Sequence, residues 1–568
     1  MLSRLLTTAL APALLLVSCV TPQMAADADV SDEAKLFGEF LAGTYASNVQ
    51  DFDARSDYYS RAFARAQDDI FIGRRALSFA LLDGDVDLAR TLAMEILQTE
   101  PGEPMARMVL GQRAFSKGRH ARAAEHFGAD TTDLTMGIAM DIMQGWNAVA
   151  AGDPGAARTA WASMQGGAVF ERLADLQTAI LDAREGNVDA ALARLDAVDE
   201  AELFSVESAL TRARILSDAG RLEEAGEFLS GFAADMGNLE TGPVRAYLDR
   251  LEAGEALDTE LTPRQLAARA LTEPSYAFFA RQRALDAAEL YLRMALDLDP
   301  DHSKAKLWIS NILEGSERDD EALALYTTIP DDDPYVVSAR LAEANAYFDR
   351  DEDARALETL EAINAARPSV VTREALGRAR LIRENYEDAL PIYDALVESL
   401  SDEEIAANTQ PLYFRGIANE RLGNFPDAVR DFRRVLEIEP DNADALNYLG
   451  YTWVDRGENL AEAFDMIERA VELEPDSGAI IDSLGWAHYK LGQYGQARKH
   501  LEKAASLSPS SATIIDHLGD VYWKLGRFRE AGYQWRRALD LDPTDEEREA
   551  IERKLEGGLD AVAADAAP

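Results

Sequence analysis

At 568 residues the chain is several times longer than one hydrophobic core supports, so it folds as several domains or as a quasi-linear repeat array. It is 47% hydrophobic but only 8% aromatic, which suits helices packed through small residues better than sheets. The 102 acidic side chains against 57 basic ones give a formal net charge of −45, which repels phosphate backbones and argues against nucleic acid as a partner.

Arg4 precedes an apolar run from Leu5 to Val17 that is too short for a comfortable membrane-spanning helix and reads as a secretory signal. The run closes on Leu16-Val17-Ser18-Cys19, which resembles a bacterial lipobox. That resemblance implies cleavage before Cys19 and a thioether from its sulfur to diacylglycerol; the alternative is an ordinary signal peptide with an incidental cysteine. Cys19 is the only cysteine in the chain, and a lone exported thiol has little other use. Burial contributes about 0.8 kcal/mol per CH₂, so several acyl chains tether a protein stably. Val20 stands where an Asp can mark inner-membrane retention, so the expected location is the periplasmic face of the outer membrane. Residues 1–19 are thus read as signal and lipobox, and 20–33 as a tether.

From residue 34 a ladder of alanines at helical positions begins: Ala54, Ala89, Ala123, Ala157, Ala191, Ala225, Ala288, Ala322, Ala356, Ala389, Ala428, Ala463, Ala497 and Ala531. Most steps are 33 to 35 residues; the exceptions are 63 after Ala225 and 39 after Ala389. The first exception marks 232–268 as a helical junction or degenerate repeat between a 34–231 array and a 269–543 array. The second predicts an enlarged loop around "SLSDEEIAANTQP". Toward the C-terminus the pattern sharpens. Pro440, Pro475, Pro509 and Pro543 close successive units, and Leu449-Gly450, Leu484-Gly485 and Leu518-Gly519 recur upstream of them. Residues 544–568 supply the predicted capping helix "TDEEREAIERKLE" and an acidic, alanine-rich tail.

This 34-residue unit resembles the tetratricopeptide repeat (TPR), a helix-turn-helix with Leu-Gly in its first helix, paired alanines in its second and a closing proline. The resemblance implies an all-α TPR solenoid, a right-handed superhelix of about 12–14 repeats. Small residues allow close helix approach, glycine ends the first helix, proline stops the second, and no unit buries its apolar face without neighbours. In the N-terminal units a generic α-solenoid hairpin matches the same pattern.

Motifs for chemistry are scarce. The six histidines form no His-Glu-x-x-His pair, no Cys/His set suits zinc, and His120 and His126 are six apart, a spacing that predicts solvated surface. Nucleophile-elbow, phosphate-loop and dinucleotide motifs are missing from the sequence. The reading is a non-enzyme without cofactor, metal or small-molecule substrate. By the TPR resemblance the first helices line a concave groove, and its inward positions fall on Tyr413, Phe414, Asn447, Tyr448, Tyr451, Asp482, Trp486, Tyr489, Asp516, Asp520 and Trp523. Rigid aromatics beside polar groups make a protein-contact surface, and Lys490 and Lys524 stand ready to receive a carboxylate. Half of these residues equally suit inter-repeat packing. A lipobox followed by a TPR array resembles outer-membrane repeat lipoproteins that act as adaptors for periplasmic carboxyl-terminal processing proteases. That likeness implies protein partners: such a protease and cell-wall hydrolases. The alternatives are an assembly factor for a pilus, secretin or polysaccharide exporter, and an unrecognised hydrolase.

Overall fold

The computed structural model describes residues 31–49, 51–164, 167–199, 205–235, 242–257, 261–279 and 284–559. Cys19 with its lipobox, most of the expected tether and the end of the acidic tail lie outside them. The described residues form thirty-one helices and no strand. Short turns join consecutive helices into hairpins, and the chain divides into two compact units, Met1–Ala346 and Tyr347–Pro568.

Three devices repeat within each unit. The turn after a first helix passes through a left-handed residue: Gly84, Gly118, Gly152, Gly186, Gly220 and Gly254 in unit 1, all 34 residues apart, and Gly423, Gly457, Gly492 and Gly526 in unit 2. Glu317, Asp351 and Glu384 hold the same turn at φ 59°, 58° and 56° without being glycine. Five or six residues after such a turn comes the ladder alanine. Every one from Ala89 to Ala531 is fully buried, and only Ala54 is half-buried.

The third device is a glycine in the first helix facing a bulky side chain sixteen residues on. A Cβ at Gly111, Gly377, Gly416, Gly485 or Gly519 would fall 2.5–2.9 Å from Phe127, Tyr393, Phe432, Leu501 or Trp535 respectively. The hairpin is therefore a lock of one missing side chain and one large one, packed to interior density. It occurs in both units, so the weak N-terminal matches are built as the strong C-terminal ones are.

Two local regions gain detail. The enlarged loop after Ala389 contains a further helix, Asp402–Ala407, closed by a Ser401/Glu404 capping box; Ser-x-x-Glu before a short polar run nucleates helix that the repeat register does not anticipate. Within 232–268, helix Pro243–Glu252 places Val244, Tyr247, Leu248 and Leu251 against Leu210, Ala213 and Leu229 of the preceding hairpin. The C-terminal helix Asp545–Gly557 starts on a Thr544/Glu547 capping box and buries Ile551 on the last repeat.

Candidate functional site

In unit 2 the first helices Ala443–Arg456, Gly478–Lys490 and Ala512–Lys524 pack side by side, so residues one repeat apart become neighbours. The expected groove residues separate into three groups on this face.

Tyr413, Phe414 and Tyr448 join an aromatic ladder that ties repeats together. Tyr393 and Phe414 lie 5.8 Å apart, Tyr413 and Tyr448 6.1 Å, and Phe432 meets Tyr413 and Tyr448 at 5.8 and 5.3 Å. Tyr393 and Phe432 are fully buried, whereas Tyr413, Phe414 and Tyr448 are half-buried, so one edge of the ladder reaches the surface.

Asp482 and Asp520 point inward. Asp482, 6% exposed, accepts a hydrogen bond from His517 Nδ1 at 3.0 Å. Asp520, 4% exposed, accepts from Trp535 Nε1 at 2.9 Å and from Lys554 Nζ at 2.9 Å. Lys554 also donates to Asp516 at 2.6 Å, clamping the terminal helix to the last repeat. Burial would pull the His517 pKa down, yet Asp482, with Asp516 and Asp520, holds it above the ordinary value. Burial and the like charge of Asp516 push Asp520 up to about 6, against Lys554 and His517.

The surface group is Asn447, Tyr451, Trp486, Tyr489, Asp516 and Trp523, all half-buried. The Trp486 ring lies near-parallel to His517 at 4.0 Å and to Tyr489 at 4.6 Å. Trp523 packs on Phe528 and Trp535 at 4.6 and 5.4 Å. These rings are held in place before any partner arrives, which lowers the entropy lost on binding. Asn447 Oδ1, Trp486 Nε1 and Asp516 Oδ1 are buried polar atoms without a hydrogen-bond partner among the described residues. Lys490 is already engaged by Asp455 at 3.1 Å, whereas Lys524 is exposed.

Sequence reasoning missed His517 and Lys554. The signal that finds them is the repeat itself: Asp482 and His517 differ by 35 residues and Asp520 and Lys554 by 34, one period. His120 and His126 are not solvated surface. His120 Nδ1 sits 3.0 Å from Asn147 Oδ1, and burial lowers the His126 pKa; each ring fills a space between helices that a six-residue spacing does not reveal.

Unit 1 holds a second polar cluster. Lys304 Nζ donates to Glu273 at 2.6 Å and Glu207 at 3.3 Å, and Arg214 donates to Glu207 at 3.3 Å and to the Tyr247 hydroxyl at 3.0 Å. Burial pushes the Glu207 carboxyl up, but Lys304, Arg214 and Arg269 hold it down at about 2. Burial, reinforced by Glu207, leaves Glu273 above the usual range despite Lys304. No group of three or more His, Cys, Asp or Glu among the described residues is arranged to hold a metal ion, and no described helix is long and apolar enough to cross a membrane.

Comparison with known proteins identifies tetratricopeptide repeats in the chain. The tetratricopeptide repeat family matches residues 275–337 and 415–478, and a second TPR family matches 485–526. A 90-residue stretch is 32% identical to the TPR repeat-containing protein PA4667 of Pseudomonas aeruginosa, covering 16% of this chain and 15% of that protein's length. Among solved structures, the APC/C hetero-tetramer Cut9-Hcn1 aligns over 84% of this chain and 94% of its own at 16% identity and TM-score 0.37. A tetratricopeptide repeat protein from Parabacteroides merdae aligns over 51% and 97% at 19% identity and TM-score 0.33. The chain carries tetratricopeptide repeats and is an all-α TPR solenoid.

Proposed function

We propose that the chain is a non-enzymatic periplasmic scaffold, anchored through Cys19 at the outer membrane, that holds a carboxyl-terminal processing protease together with its cell-wall hydrolase substrates. The observation that carries the scaffold reading is the fixed aromatic face of unit 2. Trp486, Tyr489 and Trp523 are partly exposed yet braced from below: Trp486 stacks on His517, the partner of Asp482, Tyr489 stacks on Trp486, and Trp523 packs on Trp535, which donates to Asp520. Rigid aromatics of this kind supply contact area at low entropic cost. Two partners on one array meet at raised effective concentration, so proteolysis accelerates without any catalytic group from the scaffold.

The test combines purified full chain, the processing protease of the same envelope and a cell-wall hydrolase. Addition of the chain accelerates hydrolase cleavage, and Trp486→Ala/Trp523→Ala abolishes the acceleration while circular dichroism is unchanged. Cleavage of the hydrolase by the chain alone would make it an enzyme and end the scaffold reading. Anchoring is tested separately: Cys19→Ser releases the protein from the membrane fraction, and retention there rules out the lipid attachment.

A further inference from the structure

Beneath the start of helix Ser303–Glu314, unit 1 encloses a polar cavity of about 150 Å³ bordered by Arg214, Arg269, His302 and Lys304. Lys304 and Arg214 are occupied by Glu207, Glu273 and Tyr247. Two other lining groups are not: Arg269 Nε and His302 Nε2 are buried without a hydrogen-bond partner among the described residues, and His302 is only 7% exposed. Leaving such a donor unsatisfied costs on the order of 1–3 kcal/mol, so native structures usually give it a partner.

The charges nearest His302 are those of Arg269, Lys304 and Arg214, opposed by Glu207. Burial, then the charges of Arg269 and Lys304, push the His302 pKa down to about 3 over the opposing pull of Glu207. The ring is neutral at physiological pH, and in its Nε2–H tautomer it donates. Acidic side chains also border the cavity, as Asp299, Asp301 and Asp333. Asp333 is held by the Ser303 hydroxyl at 2.6 Å and the Tyr335 amide at 2.7 Å. With Glu207 the border holds four acidic side chains against Arg214, Arg269 and Lys304, so it disfavours a multiply charged anion more than a single carboxylate seated on the two free donors.

Arg214 and Leu261 also line a second cavity of about 740 Å³, whose walls include Ile180, Val188, Ile215 and Leu266. That volume lies in the range of small-molecule sites. Thr211, 3% exposed, also lines this cavity. Two cavities sharing an arginine and a leucine, one polar and one with an aliphatic wall, suit a ligand with a charged head and an apolar body.

We propose that the paired cavities bind a monocarboxylate on an apolar body, with the carboxylate between Arg269 and His302 and the apolar part among Ile180, Val188, Ile215 and Leu266. This chemistry is supplied by a free aliphatic acid or by the C-terminal residue of a peptide. The site belongs to unit 1 and stands apart from the aromatic face of unit 2, so either can fail without the other.

The experiment titrates purified full chain calorimetrically with hexanoate, with acetyl-Ala-Leu bearing a free carboxylate, with the amides of both, and with inorganic phosphate. Saturable binding of at least one acid is expected, with at least tenfold weaker binding of its amide and no displacement by phosphate. Preference for hexanoate identifies a free acid as the source; preference for the dipeptide identifies a chain terminus. Arg269→Gln and His302→Leu each weaken binding about tenfold, and His302→Gln, which keeps a donor, weakens it less. Because a buried substitution can unfold its hairpin, saturation-transfer NMR on the wild type provides an independent reading, with magnetisation reaching the hexanoate methyl. Absence of binding by both acids at millimolar concentration, equal binding of acid and amide, or competition by phosphate overturns the proposal.

Discussion

Each unit buries one lysine between two carboxylates, and the two lysines do different work. Lys304 draws Glu207 from 97 residues away and Glu273 from 31, so its ion cluster joins helices that are not sequence neighbours. Lys554 draws Asp516 and Asp520 from a single helix one repeat back, so its cluster closes the end of the array. A buried charge pair stabilises little against an apolar replacement of both partners, but removal of one partner strands the rest. The comparison therefore teaches that the loss spreads as far as the partners are separated: across unit 1 for Lys304, and over one terminal hairpin for Lys554.

The sharpest way to break the comparison is Lys304→Met. It leaves two carboxylates buried without their ammonium, and an expected loss of about 3–5 kcal/mol appears as reduced amide protection in helices Ser205–Asp218, Pro263–Phe279 and Ser303–Glu314 together. Lys554→Met is next, at about 2 kcal/mol, because helix Asp545–Gly557 is free to detach and hydrate Asp520. Exchange acceleration confined to that helix and its neighbour is the expected record. Equal spread in both variants would erase the distinction.

Protonation separates the clusters further. His517 has a raised pKa, so its contribution is complete below about 6.5 and is lost as pH rises through the raised value. Asp520, raised to about 6, acts in the same sense: its contribution is present below about 3.9 and fades as pH climbs past 6. The groups facing this pair are Asp482 from the preceding first helix, Asp516 beside it, and Lys554 and Glu547 from the terminal helix. In unit 1 the signs reverse. His302, lowered to about 3, favours the fold above about 6.5 and loses that contribution as pH falls toward 3. Glu207, held at about 2, behaves likewise below about 4.3, whereas Glu273 opposes them. Intrinsic-rate-corrected exchange between pH 5 and 8 should therefore show the terminal hairpin tightening on acidification, an effect on the order of 1–2 kcal/mol. His517→Gln should flatten the profile. In unit 1 the wild type should loosen relative to His302→Gln as pH falls to 5.

Much of this architecture was legible in the sequence because the features that carry it are backbone requirements. The ladder alanines and Leu-Gly pairs recur where helices approach too closely for larger side chains, so Ala191 or Ala225 can be placed without knowing any partner. The groove was legible by register alone, which puts Asp482 and Trp486 on one face but does not say which way each side chain turns. Asp482 turns to His517 and Trp486 stays half-buried on the His517 ring because both are set by packing between repeats. Glu207 and Lys304 were invisible for a stronger reason: they meet across an irregular stretch where the repeat period fails, and no spacing rule predicts a contact over 97 residues.

The smallest expected effect tests whether both clusters hang on the same backbone. The hairpin that presents Lys304 turns at Glu317, φ 59°, and the one that presents Asp516 and Asp520 turns at Gly526, φ 76°. A non-glycine residue in the left-handed region is disfavoured by about 1–2 kcal/mol through its Cβ, and no atom lies within 4 Å of where a Cβ at Gly526 would stand. Gly526→Ala thus isolates the backbone term, without a clash, and should destabilise its hairpin by about 1 kcal/mol. Glu317→Gly should stabilise the other by slightly less, since glycine also gains freedom in the unfolded chain. Opposite shifts of similar size in denaturant midpoint make the two turns equivalent. A loss on Glu317→Gly would mean that the glutamate side chain contributes to unit 1 more than its backbone strain removes.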